Sequence, residues 1–307
     1  SRVVKEGNFS ENYFSALYRT LKEKKINHVF VPRLLGLSHN PIKAHKQLIS
    51  FFKIINQDNN YFLFEFELLS FNNFLKLIWL CLCYPFKTLR LLSKEKNRQD
   101  IIFNIHLLKD ISKQSMGAFT RYILGENISK VKNISKIYSW SEFQVVERAF
   151  NYAIRKNSNI EINACQFLVN YPVYFNMHIQ DIDEVNGFAP NKVLVNGGHY
   201  LLKREKVDYQ LGVSLRYQKI FEYQAQGLGL NIVLLGSYLI HETKNMLKLA
   251  SNIDTVFFKG HPAVGTDVFR DVIGENIKVT NEGIYDLFPK ATLIIGSATG
   301  SLAEAIA

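Results

Sequence analysis

His261 and Pro262 stand where an apolar run of the chain stops abruptly. The run, TVFFKG at residues 255–260, is rich in aromatic and β-branched residues and predicts a buried strand. An imidazole at the carboxyl end of a parallel strand can donate a hydrogen bond to a bound phosphate. An ordinary turn would use the same Gly-His-Pro sequence, so both interpretations are open for this pair alone.

Small hydroxyl residues and glycine follow a second strand candidate, TLIIGS at residues 292–297. The residues that could contact a ligand there are Ser297, Thr299, Gly300 and Ser301. Hydroxyls and backbone N–H groups at a helix start suit an anion, although the same residue types also cap helices that bind nothing. Because this segment and His261 end strands predicted to be neighbours in one sheet, together they favour a phosphate site.

Two more polar residues end predicted strands. Arg216 closes GVSLRY and is the best cation for a phosphate or a carboxylate, because guanidinium binds both bidentately. A surface ion pair would explain Arg216 equally well. Gln166 ends the strand candidate IEINACQF, and we expect it to face a cleft.

Glu142 follows the strand candidate KIYSW and precedes a predicted helix. A carboxylate there could act as a general base, orient a hydroxyl or stabilise a cationic transition state. It could equally be a capping-box or helix-dipole carboxylate, with Ser141 as the cap.

Three carboxylates lie in the polar stretch at residues 180–191: Asp181, Asp183 and Glu184. We interpret them as a solvated acidic linker and not as metal ligands. Three histidines are further cleft candidates that the sequence does not rank: His178, His199 and His241.

The elements that must position these residues change character near residue 134. Before it, helix-like apolar spacing dominates, as at residues 11–25 and 100–124, with one strand candidate at 27–34. After it, strand and helix signals alternate to the end, which predicts α/β structure with parallel strands. The predicted strands are 134–140, 160–167, 192–197, 209–217, 231–238, 255–260, 277–280 and 292–297.

Composition bounds the class of protein. With 307 residues, of which 47% are hydrophobic, the chain can bury two domain cores. Three cysteines are too few for a disulfide framework, and the Cys-x-Cys pair lacks the further ligands of a zinc site. We therefore expect a reducing, cytoplasmic setting and no bound metal or cofactor.

The net charge of +10 comes from the N-terminal half, where residues 1–140 hold 22 Lys and Arg against 10 Asp and Glu. In residues 71–96, Lys76, Lys87, Arg90 and Lys94 fall in a narrow helical arc among apolar residues. The apolar run is too short to span a membrane, and Pro85 is expected to kink a helix. The segment is either a helix on an anionic membrane surface or a core helix with extended lysines. No nucleic-acid-binding motif accompanies the charge, so nucleic acid is not an expected partner.

The order FFKGHP, then GIYDLFPKATLIIGSATGSLAEAIA, resembles the C-terminal half of GT-B glycosyltransferases. It is most similar to bacterial surface-polysaccharide enzymes that use cytidine nucleotides: Kdo transferases, polysialyltransferases and CDP-glycerol polymerases. Residues 135–307 carry the resemblance. It implies two Rossmann-like domains facing a cleft, 1–184 on the acceptor side and 185–307 on the donor side, with a C-terminal domain that we expect to continue beyond Ala307.

The resemblance also implies roles for residues. His261 and Pro262 would match the family's HP motif, and the hydroxyl segment at 297–301 would match its serine motif, both addressing the donor nucleotide. Glu304 would lie where many GT-B enzymes hold the donor ribose. The expected activity is metal-independent transfer of Kdo or another sugar acid from a CMP-linked donor to a bacterial surface glycan or glycolipid. The expected alternatives are transfer of a polyol phosphate from a CDP-linked donor and a non-catalytic protein that binds glycans or a membrane surface.

Overall fold

The structure, a computed structural model, divides into two compact units. It describes residues 4–5, 8–9, 14, 17–32, 38, 40–55, 62–94, 99, 101–102, 105–106, 113–167, 177–213, 215–218, 220 and 231–306. The described residues up to Leu215 belong to the first unit, and the second begins at Arg216. Residues 185–215, which the sequence prediction assigned to the second domain, therefore lie in the first unit.

Helices dominate the N-terminal part of the first unit. A short antiparallel pair, β1 (Val4–Lys5) and β2 (Asn8–Phe9), precedes helices α1 (Leu17–Glu23) and α2 (Pro41–Ile55). The strand predicted at 27–34 is wrong for its described residues, 27–32. Only Phe30 pairs there, in an isolated bridge with Phe62. A single bridge does not give this run the ladder of hydrogen bonds that defines a strand.

Helix α3 (Phe71–Leu92) is the longest described helix of this part. Ser70 caps it reciprocally: the Asn73 N–H donates to Ser70 Oγ, and the Ser70 N–H donates to Asn73 Oδ1. The helix continues through Pro85 to Leu92, so the proline does not end it. Within the described residues, no helix is both long enough and apolar enough to cross a membrane.

Helix α4 (Lys113–Ile128) packs closely on α5 (Val145–Asn157). A Cβ at Gly125 would lie 2.8 Å from Ala153 Cβ and 2.9 Å from the Phe150 carbonyl oxygen, so the contact requires glycine. Ile154 of α5 is completely buried in the core that this pair of helices helps to form. The close approach fixes α5, which follows the loop that carries Glu142.

The sheet of the first unit has four parallel strands. They are β3 (Lys136–Trp140), β4 (Glu161–Gln166), β5 (Lys192–Val195) and β6 (Asp208–Leu211), in the sheet order β3-β4-β5-β6. Helix α5 joins β3 to β4, and the short helix α6 (Asp181–Val185) lies between β4 and β5. Each strand therefore lies beside the one that follows it in the chain.

The carboxylates predicted to form a solvated linker instead hold α6 in place, so that prediction is wrong. Glu184 accepts two hydrogen bonds from the Arg155 guanidinium, at 2.5 and 2.7 Å. Asp183 is buried and accepts the backbone N–H of Gln180, which caps the helix.

Asp181 joins α6 to the approach of β6. Its carboxylate accepts the backbone N–H groups of Lys206 and Glu205, at 2.8 and 3.2 Å. The Lys206 hydrogen bond is the largest cause of a pKa for Asp181 below its usual value. The stretch at 180–191 is thus an integral part of the first unit.

The second unit has its own sheet of four parallel strands: β7 (Asn231–Leu235), β8 (Val256–Lys259), β9 (Ile277–Val279) and β10 (Ala291–Gly296). The sheet order is β10-β7-β8-β9. Its described helices include α7 (Ile240–Ala250), α8 (Ile284–Leu287) and α9 (Ser301–Ile306). Leu234, Leu247 and Phe258 are fully buried in its core.

The predicted fold class is confirmed at the level of two parallel α/β sheets, each with helices. The agreement has a simple cause. Parallel strands buried on both faces read as continuous apolar runs, and the helices between them have a different period.

Candidate functional site

The strand order of the second unit creates a topological switch point between β7 and β10. From β7 the chain passes through α7 to β8 on one side, whereas β10 lies on the other side of β7 and leads into α9. Connections that leave in opposite directions open a crevice at the carboxyl ends of the two strands, where α/β proteins bind ligands. His261 and Ser297, which the sequence prediction placed on neighbouring strands, instead follow strands on either side of β7.

The loop after β7 is held by buried hydrogen bonds. The Ser237 N–H donates to Thr243 Oγ1 at 2.9 Å, and the Leu239 N–H donates to Ser237 Oγ at 3.0 Å. Ser237 and Thr243 are both 0% exposed. These hydrogen bonds fix the backbone on both sides of Tyr238, and nearly half of the tyrosine side chain is exposed.

Replacing Thr243 with valine is expected to lower the free energy of unfolding by about 1 to 3 kcal/mol. Valine matches the shape of threonine but leaves the buried Ser237 N–H without its partner. Chemical denaturation of the full chain measures the change. Thr255→Val, at an exposed position of the same unit, is the matched control. An equal change in both variants would show that the Thr243 hydroxyl does not hold the loop.

His261 lies beside this loop because two backbones approach closely. The Gly236 N–H donates to the Lys259 carbonyl oxygen at 2.8 Å, and a Cβ at Gly236 would lie 3.0 Å from the backbone nitrogen of His261. The rings of Tyr238 and His261 meet edge to face, with centroids 6.2 Å apart. The loops after β7 and β8 thus bring an imidazole and a phenol to one edge of the sheet.

A hydrogen bond within the β8 loop sets the tautomer of His261. The Ala263 N–H donates to His261 Nδ1 at 3.1 Å, so Nδ1 is the unprotonated nitrogen. In the neutral ring Nε2 then carries the proton and is a hydrogen-bond donor. A donor of this kind is what an anionic ligand requires. Pro262, which comes next, is exposed.

Ser297 and Glu242 connect the two sides of the switch point. Ser297, directly after β10, donates its hydroxyl proton to Glu242 Oε2 at 2.5 Å, and Glu242 lies in the first turn of α7. Ala298 has φ +45°, a left-handed conformation that a non-glycine residue rarely adopts. Such strain is typical of positions that the surrounding structure constrains.

The rest of the hydroxyl segment forms the turn before α9. The Ser301 N–H donates to Thr299 Oγ1 at 3.4 Å, and the Gly300 carbonyl oxygen accepts the N–H groups of Ala303 and Glu304. The segment therefore caps this short helix, which is one of the two roles that the sequence analysis considered for it.

Arg216 and Glu304 approach the same tyrosine. Tyr285 donates its hydroxyl proton to Glu304 Oε2 at 2.6 Å. Burial raises the pKa of Tyr285 well above its usual value, the hydrogen bond to Glu304 raises it further, and the nearby charge of Arg216 opposes both. The guanidinium also lies 5.5 Å from the centroid of the Tyr217 ring. Two predicted site residues, far apart in sequence, thus belong to one cluster of charged and aromatic groups.

Glu142 lies in the loop between β3 and α5, in the first unit. Its carboxylate accepts the Gln144 side-chain amide at 2.8 Å and lies 3.5 Å from Trp140 Nε1. The predicted cap Ser141 is wrong, because the helix begins later: Gln144 is the N-cap and Glu147 supplies the capping-box carboxylate. The capping-box role considered for Glu142 therefore belongs to Glu147.

Phe143 fixes the direction of the loop that carries Glu142. Its φ is +53°, and its side chain is only 1% exposed. The buried Ser141 hydroxyl accepts the Phe143 N–H at 3.2 Å, which supports this unusual backbone. The carboxylate is thus presented by a tight, internally bonded turn.

Gln166 is buried at the end of β4, where its amide donates to the Met177 carbonyl oxygen at 2.8 Å. This hydrogen bond ties the end of β4 to the backbone at Met177. Of the other candidates, His199 is exposed beside Tyr200, and His241 is exposed in the first turn of α7. The His178 carbonyl oxygen accepts the side-chain amide of Gln180.

Three residues that contact predicted site residues in the second unit were not themselves assigned to the site: Tyr238 and Glu242 at the switch point, and Tyr285 beside Glu304. Tyr238 and Glu242 follow a predicted strand end, so the strand-end rule could have selected them. Tyr285 gives no local signal, because its partner Glu304 lies 19 positions later in the chain.

The described residues contain no group of three or more His, Cys, Asp or Glu side chains arranged to hold a metal ion. Comparison of the chain with known protein families and with curated proteins found no matching family model and no matching protein.

Proposed function

We propose that this chain is a GT-B glycosyltransferase that transfers Kdo or another sugar acid from a CMP-linked donor to a bacterial surface glycan or glycolipid. The observation that carries the proposal is the polar cluster at the switch point of the second unit. In an open parallel sheet this crevice is where nucleotides bind. The resemblance of the segment around His261 and Ser297 to cytidine-nucleotide enzymes agrees with that position.

The donor phosphate is assigned to His261 and Arg216. His261 Nε2 supplies an uncharged N–H donor, because the Ala263 N–H already donates to Nδ1. Arg216 supplies a permanent positive charge and two parallel N–H groups. When the bond to the sugar breaks, negative charge collects on the leaving CMP, and preorganised donors of this kind stabilise it.

The hydroxyl segment and Glu304 are assigned to the nucleoside. Ser297 and Thr299 are hydroxyl residues at the switch point, where they can hydrogen-bond ribose or base. Glu304 can accept a ribose hydroxyl if it exchanges the Tyr285 proton for that of the ligand. Pro262 and the turn at Gly300 and Ser301 shape the backbone around these groups.

The acceptor is assigned to the first unit, with Glu142 as the catalytic carboxylate. An acceptor hydroxyl becomes a better nucleophile as a carboxylate removes its proton, and a carboxylate also stabilises an oxocarbenium-like sugar. Gln166 is assigned a positioning role: its amide hydrogen-bonds the backbone, so it holds the chain beside the proposed acceptor and does not contact the acceptor itself. The reaction as proposed needs no metal, and CMP-linked donors and glycolipid precursors place it in the bacterial cytoplasm at the inner face of the inner membrane.

Isothermal titration of the full chain with CMP, CDP, UDP and GDP tests the proposal most directly. We expect CMP to bind and the purine nucleotide GDP to bind far more weakly. Transfer assays with a CMP-linked sugar acid and a CDP-linked polyol then distinguish sugar transfer from polyol-phosphate transfer. Absence of binding to any cytidine nucleotide would contradict the proposed donor, whereas cytidine binding without either transfer would favour a non-catalytic binding protein.

Replacing His261 with alanine is expected to weaken CMP binding by about 1 to 3 kcal/mol. The variant removes one hydrogen bond to a charged phosphate. Titration of both proteins with CMP measures the difference. His199→Ala is the matched control, because His199 is an exposed histidine of the first unit. Equal affinities of the wild type and His261→Ala would remove His261 from the proposed site.

A further inference from the structure

Helix α3 presents a stripe of exposed large apolar side chains. The most exposed are Phe71 at 73%, Trp79 at 66% and Phe86 at 72%. The whole apolar stripe consists of Phe71, Phe74, Leu75, Ile78, Trp79, Leu82, Phe86 and Leu89. At 100° per residue these positions fall within an arc of about 140°, so they form one continuous face along the helix.

A different face of α3 packs on the protein. Thr88 is buried, and the Tyr84 ring meets the Phe119 ring of α4 with centroids 5.7 Å apart. Asn73 Oδ1 accepts the Asn127 amide of α4 at 2.8 Å. The apolar stripe is therefore not the surface that holds the helix to its own unit.

Cations border the apolar stripe on one side. Lys87, Arg90 and Lys94 are exposed, and α3 contains no acidic residue. In the part of the chain that the structure describes, none of these three cations has a carboxylate within ion-pair distance. Lys76, on the same arc, is paired with Glu126 at 2.5 Å.

Charge identifies the occupant of this face. A second copy packed stripe to stripe would bring the cationic borders of two α3 helices together without acidic partners on either helix. An anionic lipid surface offers an apolar layer for the stripe and negative headgroups for its border. Trp79 suits this position, because tryptophan favours the boundary between headgroups and acyl chains.

We infer that α3 lies in the plane of an anionic membrane, with its apolar stripe among the acyl chains and Lys87, Arg90 and Lys94 at the headgroups. At 1.5 Å per residue the helix gives a contact about 33 Å long. The inference rests on α3 alone and does not depend on the activity proposed for the second unit.

Sedimentation with vesicles tests this inference on the full chain. We expect binding to vesicles that mix phosphatidylglycerol with phosphatidylcholine, weak binding to phosphatidylcholine alone, and a steep loss of binding as salt rises. Lys87→Gln, Arg90→Gln and Lys94→Gln combined should lower affinity about 100-fold. A triple control with the same charge change uses three exposed lysines elsewhere, Lys203→Gln, Lys206→Gln and Lys248→Gln, and should bind almost as the wild type does.

The apolar contribution is tested separately with Trp79→Ser and Phe86→Ser combined, which should abolish vesicle binding. Its control changes two equally exposed apolar residues elsewhere, Val213→Ser and Leu249→Ser. The chain has only two tryptophans, so Trp140→Phe leaves Trp79 as the sole tryptophan whose emission is followed. Its emission should shift to the blue with anionic vesicles and be quenched by brominated lipids.

Three results would overturn the inference: no binding to anionic vesicles, equal losses in the α3 variants and their controls, or unchanged Trp79 emission on binding. Light scattering could give a fourth result that overturns the inference. A lipid-free dimer that is lost in the Trp79 and Phe86 variant, in a protein that does not bind vesicles, would assign the apolar stripe to a second copy.

Discussion

Replacing Glu142 with glutamine is expected to lower turnover about 100-fold or more while leaving CMP affinity nearly unchanged. Glutamine keeps the size of the side chain and can still accept the Gln144 amide, but it cannot take a proton or carry the negative charge. The proposed contacts to CMP come from the second unit, so they are not altered. Steady-state transfer from a CMP-linked donor gives the turnover, and titration gives the affinity.

Glu147→Gln is the matched control for this experiment. It removes the same charge from the neighbouring first turn of α5, at the residue that supplies the capping-box carboxylate of that helix. Glutamine also serves in a capping box, so we expect a small loss of thermal stability and normal turnover. If Glu142→Gln behaves in the same way, with a lower melting temperature and unchanged turnover, then Glu142 is a structural carboxylate.

Replacing Arg216 with alanine is expected to weaken CMP binding about 100-fold, because two charged hydrogen bonds to the phosphate are lost. Lysine at the same position should restore only part of the affinity, since it keeps the charge but not the planar pair of donors. Titration with CMP and with cytidine separates the effects. Cytidine has no phosphate, so its affinity should change little.

Arg270→Ala provides the comparison for Arg216. Arg270 is an exposed arginine of the same unit that pairs with Asp267 at 2.5 Å. The two variants have the same net charge, so a general effect of charge would weaken CMP binding equally in both. That result, or an equal loss of affinity for cytidine and CMP in Arg216→Ala, would contradict a phosphate contact at Arg216.

Much of the fold could be predicted because the second half of the chain has a strong local signal. Apolar runs such as VFFK and TLIIG contain the residues that pack parallel strands, and each lies within or overlaps a strand. The order of the strands could not be predicted, since it depends on contacts between segments far apart in the chain. The position of β10 beside β7 is the clearest case.

Positions in the candidate site could be predicted only for residues that follow strands directly. His261 and Ser297 satisfied that rule, and the structure places both at the carboxyl edge of one sheet. The cap of α5 was mispredicted, because Phe143 adopts a left-handed conformation that delays the helix to Val145. The cluster around Tyr285 depends on tertiary packing, which no short stretch of sequence encodes.

The sheet of the first unit determines where the chain can be divided without damage. A fragment that ended at residue 184 would lose β5 and β6, and the freed edge of β4 would expose unpaired backbone N–H and C=O groups. Ile162 and Ala164 of that strand are almost completely buried in the whole protein. An apolar edge of this kind pairs readily with other chains and aggregates, whereas a fragment that ends after Leu215 keeps all four strands of the sheet.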